Sequence, residues 1–277
     1  MSRCENKCKK MLFIGSGNIA KAVAFGLVST KTVPAQFITV YNRNSNKFAD
    51  FEKIGINTSM DLAEASKDVD IVFLAVKPAV VKQVINQLSM IEGLLERAII
   101  VSFAASVSIA HIEKYANTEL AVIRTMPSTP ISIGEGVISI CKNERVSGKD
   151  FEYFCRTMSS IAHVAIVSEE NMNPIISVHG SSPAYVYLFV KAMLDASEKQ
   201  GIDRNTALPL ILKTIKGSVS MIEKSSDSIE TLINNVASPN GTTLAALNSF
   251  DNDDFCGAVE RAMDACTKRA NEISEEL

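Results

Sequence analysis

A glycine-rich turn near the start of the chain has the residue types that hold a dinucleotide. The segment GSGNIA, residues 15–20, follows the short apolar run MLFI and opens a stretch with helical periodicity. Gly15 permits a tight turn, and Gly17 lets the backbone approach a pyrophosphate held at the helix N-terminus. Ala20 replaces the third glycine of the usual fingerprint. We predict a cofactor-binding turn made of Gly15, Ser16, Gly17, Asn18, Ile19 and Ala20; a glycine turn without a ligand is the alternative.

The residues after the second strand candidate bear on the choice between NAD and NADP. The apolar run FITVY is followed by Asn42, Arg43, Asn44 and Ser45, and no carboxylate occurs before Asp50. Chains that bind NAD usually carry an acid here for the ribose hydroxyls, whereas a guanidinium and a hydroxyl suit a 2′-phosphate. We predict that NADP(H) is preferred, with NAD(H) as the alternative cofactor. Arg43 as an ordinary solvated loop residue is the competing interpretation.

Three further segments follow strand candidates. They are AVKP at 75–78, SFAAS at 102–106 and RTMPSTP at 124–130. The carboxyl ends of parallel strands meet at one edge of the sheet, and ligands bind at that edge in open α/β folds. The small residues of SFAAS let the backbone approach a nicotinamide, and the two prolines of RTMPSTP predict a rigid wall. Each segment alone is ordinary loop; together they line one edge.

A second candidate site lies in the C-terminal part of the chain. The loop SPNGTT, residues 238–243, interrupts helical sequence and precedes a helix candidate. Such a loop offers free backbone N–H groups and the positive end of a helix dipole, which suit a carboxylate. The hydroxyls of Thr242 and Thr243 could instead cap the helix. HGSSPAY, residues 179–185, is predicted to be a glycine-serine turn.

Alternating strand and helix patterns occupy the first part of the chain and predict an α/β fold. We expect a Rossmann-type doubly wound sheet with right-handed crossovers over residues 1–167. The strand candidates are 11–14, 37–41, 70–76, 98–103, 120–124, 137–140 and 164–167, and the helix candidates are 18–29, 62–66 and 109–115.

The remaining residues, 168–277, contain no strand-like run and predict an all-helical domain. The helix candidates are 183–198, 204–224, 228–237, 242–248 and 254–273. The segment AYVYLFVKAML is apolar on nearly every face, and in so small a domain this indicates burial against another subunit. A homo-oligomer is therefore expected.

The composition excludes several classes of protein. The 277-residue chain has a net charge of −3, so it lacks the excess of positive charge that is typical of proteins that bind nucleic acid. No apolar run is long enough for a membrane span, and the first ten residues, MSRCENKCKK, have no signal-peptide character. We expect a cytoplasmic protein. The six cysteines are scattered, and Cys4 with Cys8 has no second Cys/His pair of matching spacing, so no metal site is predicted.

With these segments together, the chain resembles the pyrroline-5-carboxylate reductase family from about residue 10 to residue 276. Seven segments match the family's sequence pattern and occur in the same order as in the family. They are MLFIGSGNIAKA, DIVFLAVKP, VIRTMPSTP, GEGV, GSSPAYVYLFVKAM, QGIDRNTA and SPNGTT. The resemblance implies reduction of 1-pyrroline-5-carboxylate to L-proline by NAD(P)H. It also implies a helical dimerisation domain, a homodimer that can assemble into a decamer, and an active site between the domains completed by the partner subunit.

The resemblance also implies roles for individual residues. The 2′-phosphate region matches Asn42, Arg43 and Ser45, and the nicotinamide-side wall matches Ala75, Val76, Lys77, Pro78, Phe103, Ala104 and Ala105. The substrate-carboxylate loop matches Ser238, Asn240, Gly241, Thr242 and Thr243. Thr243 matches the catalytic threonine that hydrogen-bonds the ring nitrogen.

The chain departs from the family's pattern mainly near the implied substrate site. Ser128 replaces an asparagine, Ser182 and Asn240 replace glycines, and His179 is a further substitution. Asn240 stands where a glycine needs a positive φ, which asparagine tolerates better than most residues. Further departures are Ser228-Ile229 in place of His-Pro, and the segment 173–176.

Two other functions compete with this reduction. A non-catalytic or substrate-shifted NADP-binding paralogue fits the departures. A β-hydroxyacid dehydrogenase has similar domains but needs a proton donor for an alkoxide, commonly a lysine on the first interdomain helix. Lys191 has no recognisable spacing for that role. Imine reduction itself requires orientation and electrostatics rather than a His/Asp pair.

Overall fold

The computed structural model describes residues 8–277, which form two compact units. One unit comprises residues 8–181 together with Cys266–Leu277, and the other comprises Ser182–Ala265. The sequence-based domain boundary after residue 167 stays a prediction. Residues 1–7, including Cys4, lie outside the described part of the chain.

The first unit is built on an eight-stranded sheet in the order β3-β2-β1-β4-β5-β6-β7-β8. The order 3-2-1-4-5-6 is that of a dinucleotide-binding sheet. All neighbours are parallel except β6 and β7. The Rossmann-type prediction is confirmed, and the short strand β3 was missed by it. The strands are β1 Met11–Ile14, β2 Ile38–Tyr41, β3 Asn57–Ser59, β4 Ile71–Leu74, β5 Ile99–Ser102, β6 Val122–Pro127, β7 Gly136–Lys142 and β8 Ala162–Ile166.

Helices cover both faces of the sheet because its central strands are apolar at successive positions. Phe13 and Phe73 stack at 4.3 Å on one face, whereas Leu12 and Leu74 pack with Ile85 on the other. The helices of this unit are α1 Asn18–Ser29, α2 Phe48–Glu52, α3 Leu62–Ala65, α4 Pro78–Leu88, α5 Leu94–Arg97, α6 Ile109–Ala116 and α7 Gly148–Met158.

The second unit is helical throughout. Its helices are α8 Ser182–Lys199, α9 Arg204–Lys224, α10 Ile229–Val236, α11 Thr242–Asn252 and α12 Phe255–Glu275, and the part of α12 from Cys266 belongs to the first unit. Asp203 caps α9 by accepting from the amides of Asn205 and Thr206 at 2.9 and 3.1 Å. No helix within residues 8–277 is both long and apolar enough to cross a membrane.

The segment before α8 differs from its prediction. Residues Ile176–Gly180 form a π-helical turn, with the amide of Ser181 bonded to the carbonyl of Ile176 at 2.8 Å. The glycine-serine turn predicted here is therefore wrong. Gly180 serves close packing instead, since a Cβ at this residue would lie 2.5 Å from Cε of Met126.

Candidate functional site

The turn after β1 fits the strands on either side of it closely. Gly15 has a φ of +107°, and its amide donates to the carbonyl of Tyr41 at 2.9 Å. A Cβ on Gly15 would lie 2.5 Å from the carbonyl oxygen of Ala75. Only glycine fits here, because both the backbone conformation and the space exclude a side chain.

The N-terminus of α1 is open. Gly17 is its N-cap residue, no side chain caps the helix, and a Cβ on Gly17 would meet nothing within 4 Å. The first helical bond runs from the amide of Lys21 to the carbonyl of Gly17 at 3.0 Å, so the preceding amides have no helical acceptor. Free amides beside open space fit a pyrophosphate. The side chain of Ala20 instead packs in the core.

The loop after β2 contacts this turn. Nδ2 of Asn42 donates to Oγ of Ser16 at 2.8 Å and holds the two loops together. Arg43 and Ser45 are exposed, and the Arg43 guanidinium has no ion-pair partner among residues 8–277. A cleft lies between this loop and α4.

The cleft adds residues that the sequence reasoning missed. Its α4 side is formed by Val80, Gln83, Val84 and Gln87, which share one helix face at spacings of three and four. That spacing was readable from the sequence, but no helix was predicted there. The predicted cofactor residues 75–78 lie directly before and at the start of α4. Ala75 and Val76 are half-buried, exposed Lys77 is the N-cap residue of α4, and Pro78 is the first residue of that helix.

The segment after β5 is held by buried hydrogen bonds. Oγ of Ser102 accepts from the amide of Ala104 at 3.2 Å. The side chains of Phe103 and Ala104 are buried in the core, so of the predicted residues 103–105 only Ala105 has a partly exposed side chain. Ser106 is 1% exposed with a φ of +66°, and its hydroxyl has no hydrogen-bond partner among residues 8–277.

A buried arginine anchors β6. Arg124 is 4% exposed and donates to Oδ1 of Asn173 at 2.6 Å and to Oε1 of Glu169 at 3.4 Å. The same Glu169 oxygen accepts from the amide of Ile109 at 2.7 Å. Burial lowers the pKa of Arg124, and the charge of Glu169 opposes that shift.

The wall predicted after β6 is tied back to β7. Ser128 is buried, its amide donates to the carbonyl of Val137 at 2.9 Å, and its Oγ accepts from the amide of Val137 at 2.9 Å. Ser128, which stands where the family has asparagine, is thus joined to Val137 by two hydrogen bonds, and these fix the end of β6.

The second candidate site is the loop before α11. The amide of Gly241 donates to the carbonyl of Ser238 at 2.9 Å, and Asn240 has a φ of +59°, the conformation expected for a glycine substitute. Gly241 is the N-cap residue, and no side chain caps α11. The alternative that Thr242 or Thr243 caps this helix is therefore wrong.

The predicted residues gather in two places. Residues 15–20, 42–45, 75–78 and 103–105 follow β1, β2, β4 and β5 at one sheet edge in the first unit. Residues 238–243 belong to the second unit. Within residues 8–277, no three histidine, cysteine or carboxylate side chains are grouped so as to hold a metal ion.

Comparison with known proteins gives consistent matches over the chain. Residues 169–273 match the family described as pyrroline-5-carboxylate reductase dimerisation, and residues 10–106 match the family described as NADP oxidoreductase, coenzyme F420-dependent. A pyrroline-5-carboxylate reductase from Pseudomonas aeruginosa is 34% identical over 97% of this chain and 98% of its own length. A pyrroline-5-carboxylate reductase from Corynebacterium melassecola is 33% identical over 95% of this chain and 97% of its own length.

Solved structures agree with the sequence matches. A pyrroline carboxylate reductase from Plasmodium falciparum, solved with NADP bound, has a TM-score of 0.88 at 28% identity and covers 96% of this chain and 98% of its own. A pyrroline-5-carboxylate reductase from Coxiella burnetii has a TM-score of 0.87 at 31% identity, and the match covers 97% of this chain and 99% of that one. From its sequence and fold, the chain belongs to the pyrroline-5-carboxylate reductase family.

Proposed function

We propose that this protein reduces 1-pyrroline-5-carboxylate to L-proline with NADPH as the hydride donor. The observation that carries the proposal is the pair of open helix N-termini, one at α1 for a pyrophosphate and one at α11 for a carboxylate. Bound NADPH supplies the hydride, and the protein supplies binding and orientation.

The loop before α11 is suited to the substrate's carboxylate. The amides at the start of α11 point out of the helix without a side-chain cap, and the helix dipole adds partial positive charge. The positive φ of Asn240 and the bond from Gly241 to Ser238 fix the loop before any ligand arrives. A preformed loop reduces the ordering cost of binding a small anion.

Thr243 is the residue that we assign to the ring nitrogen. It is half-buried at the second position of α11, whereas Thr242 at the first position is exposed. Because neither threonine is occupied as a cap, the Thr243 hydroxyl is available to a ligand. It would orient the protonated imine and hydrogen-bond its ring nitrogen as hydride adds to carbon and the C=N π electrons become the nitrogen lone pair, with the two reacting carbons about 3–3.5 Å apart.

The test is Thr243→Ala, with Thr242→Ala as the matched control. Loss of the Thr243 hydroxyl should lower kcat/KM for pyrroline-5-carboxylate by roughly ten- to a hundredfold, which corresponds to one or two hydrogen bonds. The dissociation constant for NADPH should stay within about twofold, since the pyrophosphate cradle belongs to the other unit. Thr242→Ala should keep both values. An unchanged kcat/KM for Thr243→Ala would remove Thr243 from the mechanism.

For the cofactor, we infer that NADPH binds more tightly than NADH. The support is the free Arg43 guanidinium beside Ser45 and the absence of a carboxylate from 42 to 45. Arg43→Ala should narrow the difference in affinity between the two cofactors, while Lys53→Ala, which removes another exposed cation, should not. Equal affinities of the parent protein for NADPH and NADH, measured by calorimetry, would contradict the inference.

We further infer a homodimer that can assemble into a decamer. Tyr187, Leu188 and Leu210 of the second unit are more than 60% exposed, and the match to a dimerisation family covers their helices. Light scattering at micromolar concentration should give at least twice the 30.0 kDa of one chain. Leu188→Glu should shift the population toward smaller species. A monodisperse 30 kDa species would refute the inference.

Turnover separates this proposal from its two competitors. A non-catalytic paralogue would bind NADPH and leave pyrroline-5-carboxylate unchanged, and a β-hydroxyacid dehydrogenase would oxidise hydroxyacids instead. The lysine considered for the dehydrogenase, Lys191, is exposed and pairs with Asp195 at 2.5 Å. NADPH consumption that depends on pyrroline-5-carboxylate, with proline as product, is the expected result.

A further inference from the structure

His179 is a half-buried histidine that the proposed reaction does not use. It lies in the π-helical turn, and its Nε2 is 2.7 Å from Oγ of Ser139, which is fully buried on β7. Its other ring nitrogen, Nδ1, is buried and has no hydrogen-bond partner within the described residues. The ring is thus held by one hydrogen bond, and its second nitrogen makes none within the described residues.

The turn that carries His179 packs against the last pairs of β6 and β7. Ser139 pairs with Met126, and Gly180 packs against Met126 so closely that a Cβ there would lie 2.5 Å from Cε. The next residue pair on the same face of these strands is Ser128 with Val137, joined by two hydrogen bonds of 2.9 Å. His179 and Gly180 therefore support the strand end from which the wall segment begins.

Among the described residues, β6 and β7 place no negative charge on this face that could balance a positive charge on His179. The ionisable side chains on this face of β6 and β7 are Arg124 and Cys141. They form the next residue pair on the same face after Met126 and Ser139, further from the carboxyl end of β6. Arg124 is itself a cation bound to Glu169 of the adjoining turn, and burial raises the pKa of Cys141 to about 11, so that thiol is neutral. Burial also lowers the pKa of His179 from its ordinary 6.5, with its own backbone opposing the shift.

We propose that His179 is a positioning residue that, through Ser139, fixes the end of β6 and the wall after it, and that protonation of its ring releases this support. A neutral ring needs one partner for its N–H, whereas a protonated ring must donate from both nitrogens. Nδ1 forms no hydrogen bond within the described residues, so the charged ring lacks a second partner, and we expect it to leave its place or break the packing. The proposal rests on the proposed reduction, because the wall after β6 lies at the same sheet edge as the residues proposed to bind the cofactor.

The sign of the pH dependence follows from the lowered pKa. The folded protein favours the neutral ring and the unfolded chain titrates near 6.5, so the stability contributed by His179 is complete above 6.5. That stability decreases as pH falls from 6.5 toward the lower pKa of the folded state. The same protonation should reduce kcat/KM on the acid side.

The experiment compares kcat/KM of the parent, His179→Gln and His163→Gln between pH 5.0 and 7.5. His163 is exposed on β8 and serves as the matched histidine control. The imine substrate also titrates, so the readout is the ratio of each variant to the parent at each pH. We expect the His179→Gln ratio to rise at least about threefold from pH 7.5 to 5.0, because glutamine can keep an uncharged hydrogen bond, while the His163→Gln ratio stays flat.

A flat ratio for His179→Gln would overturn the proposed switch. Ser139→Ala is the second variant; it should lower kcat by about three- to tenfold at pH 7.5 and leave the NADPH dissociation constant within about twofold. An unchanged kcat would overturn the positioning role. If the parent turns over no pyrroline-5-carboxylate at any pH, the proposed function has failed instead. Melting temperatures with bound NADPH then test the switch, since His179→Gln should lose less stability than the parent below pH 6.5.

Discussion

Replacing Ser106 by glycine should stabilise the protein, although this residue follows directly after the proposed nicotinamide-side wall. Ser106 combines a φ of +66° with a fully buried hydroxyl that has no partner within the described residues. The left-handed conformation destabilises an L-residue by about 1–2 kcal/mol, and an unpaired buried hydroxyl destabilises the fold by about 1–3 kcal/mol. Glycine removes both effects but loses about 0.5–1 kcal/mol more in backbone entropy when the chain folds. The net expectation is a gain of about 2 kcal/mol, or roughly 4–8 °C in Tm for a unit of this size.

Thermal and urea unfolding of Ser106→Gly and Ser106→Ala separate the two contributions. Alanine removes the hydroxyl but keeps the Cβ, so it should gain only about 1 kcal/mol. The difference between the variants then reports the backbone strain. NADPH affinity should change by less than about twofold, since the hydroxyl is closed off from solvent. A Ser106→Gly protein that unfolds at or below the parent's midpoint would refute the reasoning.

Three other substitutions or modifications test features of the two sites. Gly15→Ala should destabilise by about 1–3 kcal/mol in urea unfolding and weaken NADPH binding, because its Cβ would lie 2.5 Å from a carbonyl oxygen; parent-like values for both would contradict the fit. Gly241→Ala should raise KM for the imine and leave NADPH affinity unchanged, since its Cβ would clash with Oγ of Ser238. In native protein at pH 7.5, iodoacetamide should alkylate exposed Cys256 and spare Cys141, whose buried thiol has a pKa of about 11; modification of Cys141 at a similar rate, seen by peptide mass spectrometry, would argue against its burial.

The features that the sequence predicted well are those with a local physical cause. Gly15 and Gly17 follow an apolar run and open a helix, and both the turn and the doubly wound sheet around it are as expected. The left-handed conformation of Asn240 was also predictable, because few residues other than glycine and asparagine adopt it. Family resemblance, rather than periodicity, supplied the role of Thr243.

The features that were missed depend on distant contacts or on short elements. The short strand β3 has no apolar residue, and its place is set by pairing with β2. The bond between His179 and Ser139 joins residues 40 positions apart, and nothing near either residue indicates it. The strain at Ser106 is invisible in sequence because serine rarely adopts a positive φ. The π-helical turn was mistaken for a loop since Gly180 has a packing role there.

The division of α12 between the two units affects the order in which the protein can fold during synthesis. The first unit includes residues from Cys266 onward, where Oδ1 of Asn271 accepts from Nδ2 of Asn173 at 2.9 Å and the carbonyl of Leu277 accepts from the hydroxyl of Tyr115 at 2.9 Å. A ribosome makes these residues only after the whole second unit. The sheet can form on the nascent chain, but the first unit is completed only when residues 266–277 have left the exit tunnel.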